Sequence, residues 1–558
     1  MTRKPIRIVI IGGVAGGASA ATRARRTDEH AEIILLEKDE HVSFANCGLP
    51  YHIGEEIADR SKLLVATKEL LERRFRLDVR TRHEATVIDR DNKTVSVLNH
   101  ETGEVFDLPY DKLILSPGAA PLVPPIPGHN ATGVYTLRNV ADMDHIKATI
   151  DHAVTKEAVV VGAGFIGLEV VEQLVHRGFK VSLVELQPQV LPLFDAEMVQ
   201  PIESSLRAHS VDFFAGDGIK AVLTDSENKA VGVELASGRK VQGHPVIMGL
   251  GVRPNTQLAQ AAGLDIGETG GIVTNRFLQT NDPDIYAVGD ACEYVCGPLN
   301  RQQRVPLAGP ANRAGRLAGE HAATGNCQPM GNVLGTAIVR VFDQSAAMTG
   351  LSVKAANRLG VKATSVTIVA GQHAGYFPGA TPVTLKLVFD PETEQVLGAQ
   401  AVGKDGVDKR IDIIATSMNF NATVRDLANL DLCYAPPFGS AKDPVHQAAF
   451  AAGNHLDGIA HVAPADVELS DVQLVDVRTT SEIENHPLAG GEHAIHIPVD
   501  ELRHRLGELD PSLETIVSCG VGVRGHVAVR ILKQHGFNSI KNLSGGATVR
   551  NRAVPTDQ

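Results

Sequence analysis

The chain has 558 residues, enough for three or four domains of ordinary size with large cores. Its formal charge of −12, from 53 basic and 65 acidic residues without a basic stripe, argues against nucleic acid and anionic membrane surfaces as partners. Six cysteines (Cys47, Cys292, Cys296, Cys327, Cys433, Cys519) are too few and scattered for a disulfide framework, and none forms a Cys-x-x-Cys pair, so no metal is expected and a reducing cytoplasm fits best.

Basic residues Arg3 and Lys4 precede an apolar run ending in Ala18-Ser19-Ala20, which superficially resembles a secretion signal. The glycines at 12, 13, 16 and 17 argue otherwise, because they suit a phosphate-binding turn and weaken a signal helix. No run has the length and apolarity of a membrane span.

Residues 6–11 read as a fully buried strand, and Gly12, Gly13, Gly16 and Gly17 turn it into an Ala-rich helix over 18–26. The strand over 33–37 ends in Glu37, about twenty residues on, where a dinucleotide fold places its ribose-hydroxyl acceptor. Val14 stands at the middle glycine of the G-x-G-x-x-G pattern, so this segment alone also fits a generic strand-helix turn.

The stretch Ser43-Phe44-Ala45-Asn46-Cys47-Gly48-Leu49-Pro50-Tyr51 follows, where such a fold returns to its cofactor. Cys47 is read as the redox centre, the alternative being a buried structural cysteine. Thiolate is the reactive form, so the site is expected to depress a pKa that is about 8.5 in free cysteine, with a helix beginning here to help.

Residues 113–119 form an apolar strand that breaks at Ser116-Pro117-Gly118. The second fingerprint is cleaner: a strand over 159–161, then Gly162, Gly164 and Gly167 leading into a helix, then a strand over 181–185 ending in Glu185. Two fingerprints imply two dinucleotides. A carboxylate at the ribose repels a 2′-phosphate, so Glu185 predicts NADH over NADPH. Residues 280–290 repeat the strand-turn-acid theme and end in Gly289-Asp290. In two-dinucleotide flavoproteins both returning segments resemble those that contact FAD, with the aspartate bonding the ribityl chain; a plain surface acid is the alternative. The segment order predicts a split FAD-binding domain, 1–120 and 250–330, with an NADH-binding domain at 121–249 inserted.

Strands over 383–389 and 396–402 and helices over 408–420 and 424–430 predict an α+β domain at 331–450. Tyr376 and Tyr434 lie in its rigid, Gly- and Pro-bearing loops, where ordinary packing also accounts for them. Residues 451–464, with Gly453, Asn454, Gly458 and Pro464, read as a linker. The last unit, 465–558, opens with a strand over 473–478 and places Cys519 after a strand over 516–518, before a glycine-bearing loop and a helix over 526–535. That order makes an anion cradle around the sulfur, and the helix dipole with Arg524 is expected to keep the thiol ionised.

With these residues assembled, nearly the whole chain resembles the coenzyme A-disulfide reductase and rhodanese fusion family, the NADH-dependent coenzyme A persulfide and polysulfide reductases. Ser43 to Cys47 is similar to that family's single redox-cysteine motif, Tyr376 and Tyr434 match its two active-site tyrosines, and the loop from Cys519 to Arg524 resembles a rhodanese active loop. Four residues separate that cysteine from its arginine, a length associated with sulfur transfer in rhodanese-like domains.

The resemblance implies an α/β chain: two Rossmann-like domains for FAD and NADH, an α+β dimerisation domain and a rhodanese-like α/β domain. It implies cofactor contacts at Gly12, Gly13, Ala15, Gly16, Gly17, Glu37, Lys38, Ser116, Pro117, Gly118, Gly162, Gly164, Gly167, Glu185, Gly251, Gly289, Asp290, Pro306, Leu307 and Ala308. Ser19, Arg23, Arg26, Ser43, Asn46 and Lys442 match positions that bind coenzyme A. A homodimer is implied, in which the cap presents Tyr434 and Tyr376 to the partner's Cys47. Phe377 and Phe438 stand where some members carry further tyrosines, and Phe75 where a coenzyme A-binding lysine can occur.

The implied reaction is NADH-driven, FAD-dependent reduction of a persulfide, polysulfide or coenzyme A disulfide through a Cys47–coenzyme A mixed disulfide, with Cys519 delivering sulfur. Two rival readings stay open. One is an NADH peroxidase or oxidase cycling Cys47 through sulfenic acid, although Ala15 stands where those enzymes typically place a histidine. The other is a sulfur-carrier or redox-sensing protein dominated by Cys519.

Overall fold

The computed structural model describes residues 4–554, and the chain divides into two compact units. The first takes in residues up to 188 together with 210–335. Its first sheet is parallel, with strands Ile285–Ala287, Lys112–Leu115, Arg7–Ile11, Glu32–Glu37 and Asp78–Thr81 in that spatial order. Strand Arg7–Ile11 is buried on both faces, which is why its sequence is an unbroken apolar run rather than an alternating one. The second sheet is also parallel: Asp212–Ala215, Lys180–Glu185, Glu157–Val161, Val246–Met248 and Val134–Tyr135. The short antiparallel pair Ala119–Pro121 with Val252–Pro254 carries the chain from one sheet to the other and back.

Helices Ala15–Thr27 and Ala308–Thr324 cross at backbone contact distance over the first sheet. A Cβ at Gly315 would lie 2.1 Å from the Gly16 carbonyl oxygen and one at Gly319 would lie 2.2 Å from that of Ala20. The Ala- and Gly-rich composition of both helices follows from this approach, not from helix propensity alone.

The second unit comprises residues 189–209 and those from 336 on. Its antiparallel sheet runs Ala337–Val341, Gln344–Gly350, Val396–Gly403, Pro382–Phe389, Thr364–Gly371, covered by helices Val407–Asn419 and Pro444–Leu456. The helix Ala196–Ala208, expected to serve the NADH-binding domain, packs on this sheet instead. A buried cluster holds it. Lys386 Nζ lies 2.8 Å from Asp195 and 2.5 Å from Glu197, and Asp195 also accepts from Gln400 Nε2 at 2.9 Å and from the amides of Val353 and Lys354.

Residues 451–464, expected to be a linker, are mostly structured. The helix Pro444–Leu456 runs through Gly453 and Asn454, and His461–Ala463 is an edge strand of the last sheet. Gly453 is not a breaker here: a Cβ would sit 3.2 Å from Arg425 Nη1, so the residue makes room for a guanidinium. The last sheet is parallel, in the order His461–Ala463, Ile540–Leu543, Thr515–Ser518, Gln473–Asp476, Ile495–His496.

Candidate active site

The two fingerprints fold alike. Each buried strand ends in a glycine of positive φ, +94° at Gly12 and +105° at Gly162, and a helix starts within three residues. The helix then returns so closely that a Cβ on Gly17 would lie 1.8 Å from the Gly12 oxygen, and one on Gly167 would lie 1.9 Å from that of Gly162. Val14 is tolerated for a physical reason. Its counterpart Gly164 has an ordinary φ of −79° and open space where a Cβ would point.

Helices Ala15–Thr27, Phe165–His176 and Ala308–Thr324 all begin without a side-chain cap, whereas Thr67, Asn139, Ser352, Thr423, Asp443 and Thr479 cap others. Their first amides fit the phosphates of bound dinucleotides. Gly17→Ala is therefore expected to purify without flavin absorbance and to lose about 1–3 kcal/mol or more. A yellow variant of unchanged melting temperature would contradict this.

The two strand-end acids are anchored in the same way. Glu37 accepts from the Gly13 amide at 2.8 Å and that of Asp39 at 3.0 Å; Glu185 accepts from Ala163 at 2.7 Å and Gln187 at 2.9 Å. Burial raises the Glu37 carboxyl above its ordinary range, with those amides opposing. Lys38 beside it is exposed.

The returning segments face the first turn. A Cβ at Gly16 would meet Ser116 Oγ at 2.9 Å, while Asn255 ties down Pro117 and Gly118 through their carbonyls. Gly289 has φ +84°, and Asp290 after it is raised by burial, opposed by Arg138 and Arg304. Gly251 has φ +97°, and Leu307 and Ala308, just past Pro306, open the third uncapped helix.

Cys47 sits in a single turn, Asn46–Gly48, leading into the short helix Leu49–Ile53. Two sets of contacts fix it. Ser43, at φ +48°, donates its amide to the Gly13 oxygen at 2.8 Å and accepts from Val65 at 3.0 Å, which stitches the stretch to the first glycine turn. On the other side the short helix packs on Phe165–His176, with Tyr51 Oη donating to Glu169 at 3.1 Å and Arg177 Nη1 to the Ile53 oxygen at 3.0 Å.

Cys47 thus lies where both fingerprints converge, and it is exposed, with Sγ 3.7 Å from Asn46 Oδ1. The depressed pKa expected from sequence is not what the protein's own groups produce. The surrounding protein desolvates the thiol and raises it, Glu169 and Asp290 add to this, and Arg138 opposes. Glu169, Arg138 and Tyr51 are neighbours that the fingerprints gave no signal for.

Of the residues matched to coenzyme A, Ser19 Oγ donates to Asn312 at 2.6 Å and Arg23 forks onto Glu320 at 2.9 and 2.6 Å. Arg26 lies over the Phe75 ring at 5.0 Å, and Lys442, in the second unit, is exposed.

Tyr376 and Tyr434, 58 residues apart, are brought together with their hydroxyls 2.9 Å apart, and they are 76% and 49% exposed. The hydrogen bond shared with Tyr434 is the main cause raising the Tyr376 hydroxyl.

Cys519 is buried at the end of strand Thr515–Ser518, and the Gly522 amide donates to its Sγ at 3.1 Å. Gly522, at φ +98°, turns the loop into helix Val523–Lys533. Arg524, expected with the helix dipole to keep the thiol ionised, is also forked by Glu482 at 2.8 and 2.5 Å. The Thr479-x-x-Glu482 capping box was readable in the sequence; its ion pair with Arg524 was not.

Comparison with known proteins matches residues 6–315 to the family described as pyridine nucleotide-disulphide oxidoreductase, 336–444 to its dimerisation domain and 460–549 to the rhodanese-like domain. A coenzyme A disulfide reductase of Staphylococcus aureus (strain bovine RF122 / ET3-1) is 37% identical over 446 residues, 80% of this chain and 99% of that protein. The crystal structure of reduced Bacillus anthracis CoADR-RHD is 43% identical with a TM-score of 0.94, covering 99% of each chain. A NAD-dependent persulfide reductase from A. fulgidus is 36% identical with a TM-score of 0.90, covering 98% of this chain and 100% of the other.

Proposed function

This chain belongs to the pyridine nucleotide-disulphide oxidoreductase family, and from that premise we propose that it is an NADH- and FAD-dependent reductase of coenzyme A persulfide and polysulfide, acting also on coenzyme A disulfide, fused to a sulfurtransferase. The observation that carries this reading is Cys47: one accessible cysteine on a turn bonded to the first fingerprint, its following helix packed on the second.

FAD, when bound, supplies the two-electron relay between NADH and sulfur. Cys47 thiolate attacks the sulfur attached to coenzyme A in the persulfide. The Cys47–S–S–coenzyme A bond forms, the bond to the terminal sulfur breaks, and hydrosulfide leaves with the electron pair. Two electrons and a proton then cleave the mixed disulfide, restoring the Cys47 thiolate and freeing coenzyme A. The stretch holds no second cysteine, so the coenzyme A thiol takes that place. Tyr376 and Tyr434, exposed and mutually hydrogen-bonded, present one phenol hydrogen to the departing thiolate from the cap of a homodimer, against the partner's Cys47.

Ser19, Arg23, Arg26, Ser43, Asn46 and Lys442 bind coenzyme A; Arg26 and Lys442 meet phosphate directly, and Arg23 exchanges Glu320 for it. Glu185 favours NADH. Cys519 carries sulfur from polysulfide or a persulfide into the reductase. A reducing cytoplasm suits six unpaired cysteines, and no helix among the described residues is long and apolar enough to cross a membrane.

The test is anaerobic turnover with NADH and NADPH against coenzyme A persulfide, polysulfide, elemental sulfur and coenzyme A disulfide, measuring hydrosulfide. The fastest rate is expected with NADH and persulfide, one hydrosulfide per NADH. Peroxide turnover without coenzyme A, and no hydrosulfide from any acceptor, would overturn the reading.

A further inference from the structure

The loop around Cys519 has one cation. Of Cys519, Gly520, Val521, Gly522, Val523 and Arg524, only the last is charged, and it already has an anionic partner. Both guanidinium ends are taken by Glu482, Nη1 to Oε2 at 2.8 Å and Nη2 to Oε1 at 2.5 Å. Glu482 is fixed from behind, because its Oε2 also accepts from the Thr479 amide and hydroxyl, each at 3.0 Å. The pair sits over the loop itself. A Cβ at Gly520 would lie 3.5 Å from Arg524 Nη2 and 3.7 Å from Glu482 Oε1.

Another arginine of this domain, Arg478, is buried and forked onto Asp476. The rim beyond is apolar: Val523 and Val527, one helical turn apart, are 64% and 41% exposed.

We propose that Glu482 is a specificity-determining residue that neutralises Arg524, so that Cys519 accepts sulfur from organic persulfides and discriminates against thiosulfate. The inference deepens the proposed role of Cys519 and rests on it. The two transfers differ in charge. With thiosulfate, Cys519 thiolate attacks the sulfane sulfur, the new S–S bond forms, and sulfite leaves as a dianion, so three negative charges share the loop throughout. With a protonated persulfide the same attack forms the Cys519 persulfide and expels one thiolate, so the reacting atoms carry a single negative charge. Only the first transfer needs a free cation, and a dianion has to displace a fixed carboxylate to reach one. The valine rim suits the organic part of a persulfide and offers nothing to sulfite. The Glu482 carboxyl is pulled down to about 2, chiefly by its hydrogen bonds from Arg524, so its charge persists at every working pH.

The test uses the full-length holoenzyme, with sulfur on the Cys519 peptide followed by mass spectrometry after mixing with thiosulfate or glutathione persulfide. Glu482→Gln keeps the cap, since glutamine serves at that position of a capping box, but removes the charge. It is expected to speed loading from thiosulfate at least about tenfold while leaving loading from glutathione persulfide within about threefold. Adding Arg524→Ala to it should abolish the gain. Glu482→Asp, too short to hold both nitrogens, is expected to give a smaller gain in the same direction and serves if the glutamine variant misfolds. Unchanged thiosulfate loading, or an equal rise with both donors, overturns the inference while leaving Cys519 as a sulfur carrier. Loading of wild-type Cys519 by neither donor overturns the carrier role itself.

Discussion

Replacing Cys47 with serine is expected to leave a folded, yellow, FAD-bound protein whose NADH-driven hydrosulfide release falls by at least about 10³-fold. The substitution costs little structurally, because Cys47 is exposed and its side chain's hydrogen bond among the described residues is the long one to Asn46. It costs the chemistry nearly everything, because a serine hydroxyl is not ionised near neutral pH and cannot hold a disulfide. The other sulfurs of the same unit are poorer nucleophiles. Cys292 and Cys296 are buried, and burial pushes their thiols up to about 12 and about 11. Burial also raises the half-buried Cys327 thiol above its ordinary value. Full retained turnover in the serine variant would refute the assignment of Cys47 as the sulfur that accepts coenzyme A.

Lys386→Met is expected to cost the cap sheet about 3–5 kcal/mol at neutral pH, the usual result of removing one partner of a buried ion cluster. Burial alone would lower Lys386, but Glu197 and Asp195 raise it above its ordinary value; burial would raise Asp195, but Lys386 and the amides around it hold it low. The sign follows. The contribution of Asp195 is complete above about pH 4 and is lost as pH falls through its depressed folded value; that of Lys386 is complete below about pH 10.4 and is lost as pH rises through its elevated one. Without the lysine, burial dominates Asp195 and its folded pKa rises, so the variant regains stability as pH falls from neutral. Amide exchange of strand Pro382–Phe389 reads this locally, with protection expected to drop by about 10²-fold or more. Unchanged protection at pH 7 would mean that the cluster does not hold the helix Ala196–Ala208 to the sheet.

Much of this architecture was legible in the sequence because its local signals are strong. Strand, positive-φ glycine and uncapped helix recur at Gly12 and Gly162 with the same steric constraint, and the acids at 37 and 185 lock each turn by accepting its amide. What escaped reading is non-local. Nothing near Asp195 announces that its partners are Lys386 and Gln400, about two hundred residues on, so bounds of 121–249 for an NADH-binding domain sweep in a helix that packs on the other sheet. Gly453 and Asn454 looked like a break because a glycine's reason lies in what crosses it, here Arg425. Family resemblance singles out Tyr376 and Tyr434, but their hydrogen bond to each other follows from nothing in their spacing. The expected depression of the Cys47 thiol rests on local grounds, and it fails because desolvation by the surrounding protein, with the carboxylates Glu169 and Asp290 adding to it, outweighs the dipole of a five-residue helix.

The joined hydroxyls of Tyr376 and Tyr434 set a proton count. Two phenols hold two hydrogens, and one is committed between the rings at 2.9 Å, so only one can point outward at a time. Any acceptor meeting the pair therefore receives a single bond whose donor is polarised by the other ring, and the two tyrosines are inequivalent: one presents the proton, and the other sets how readily it is given.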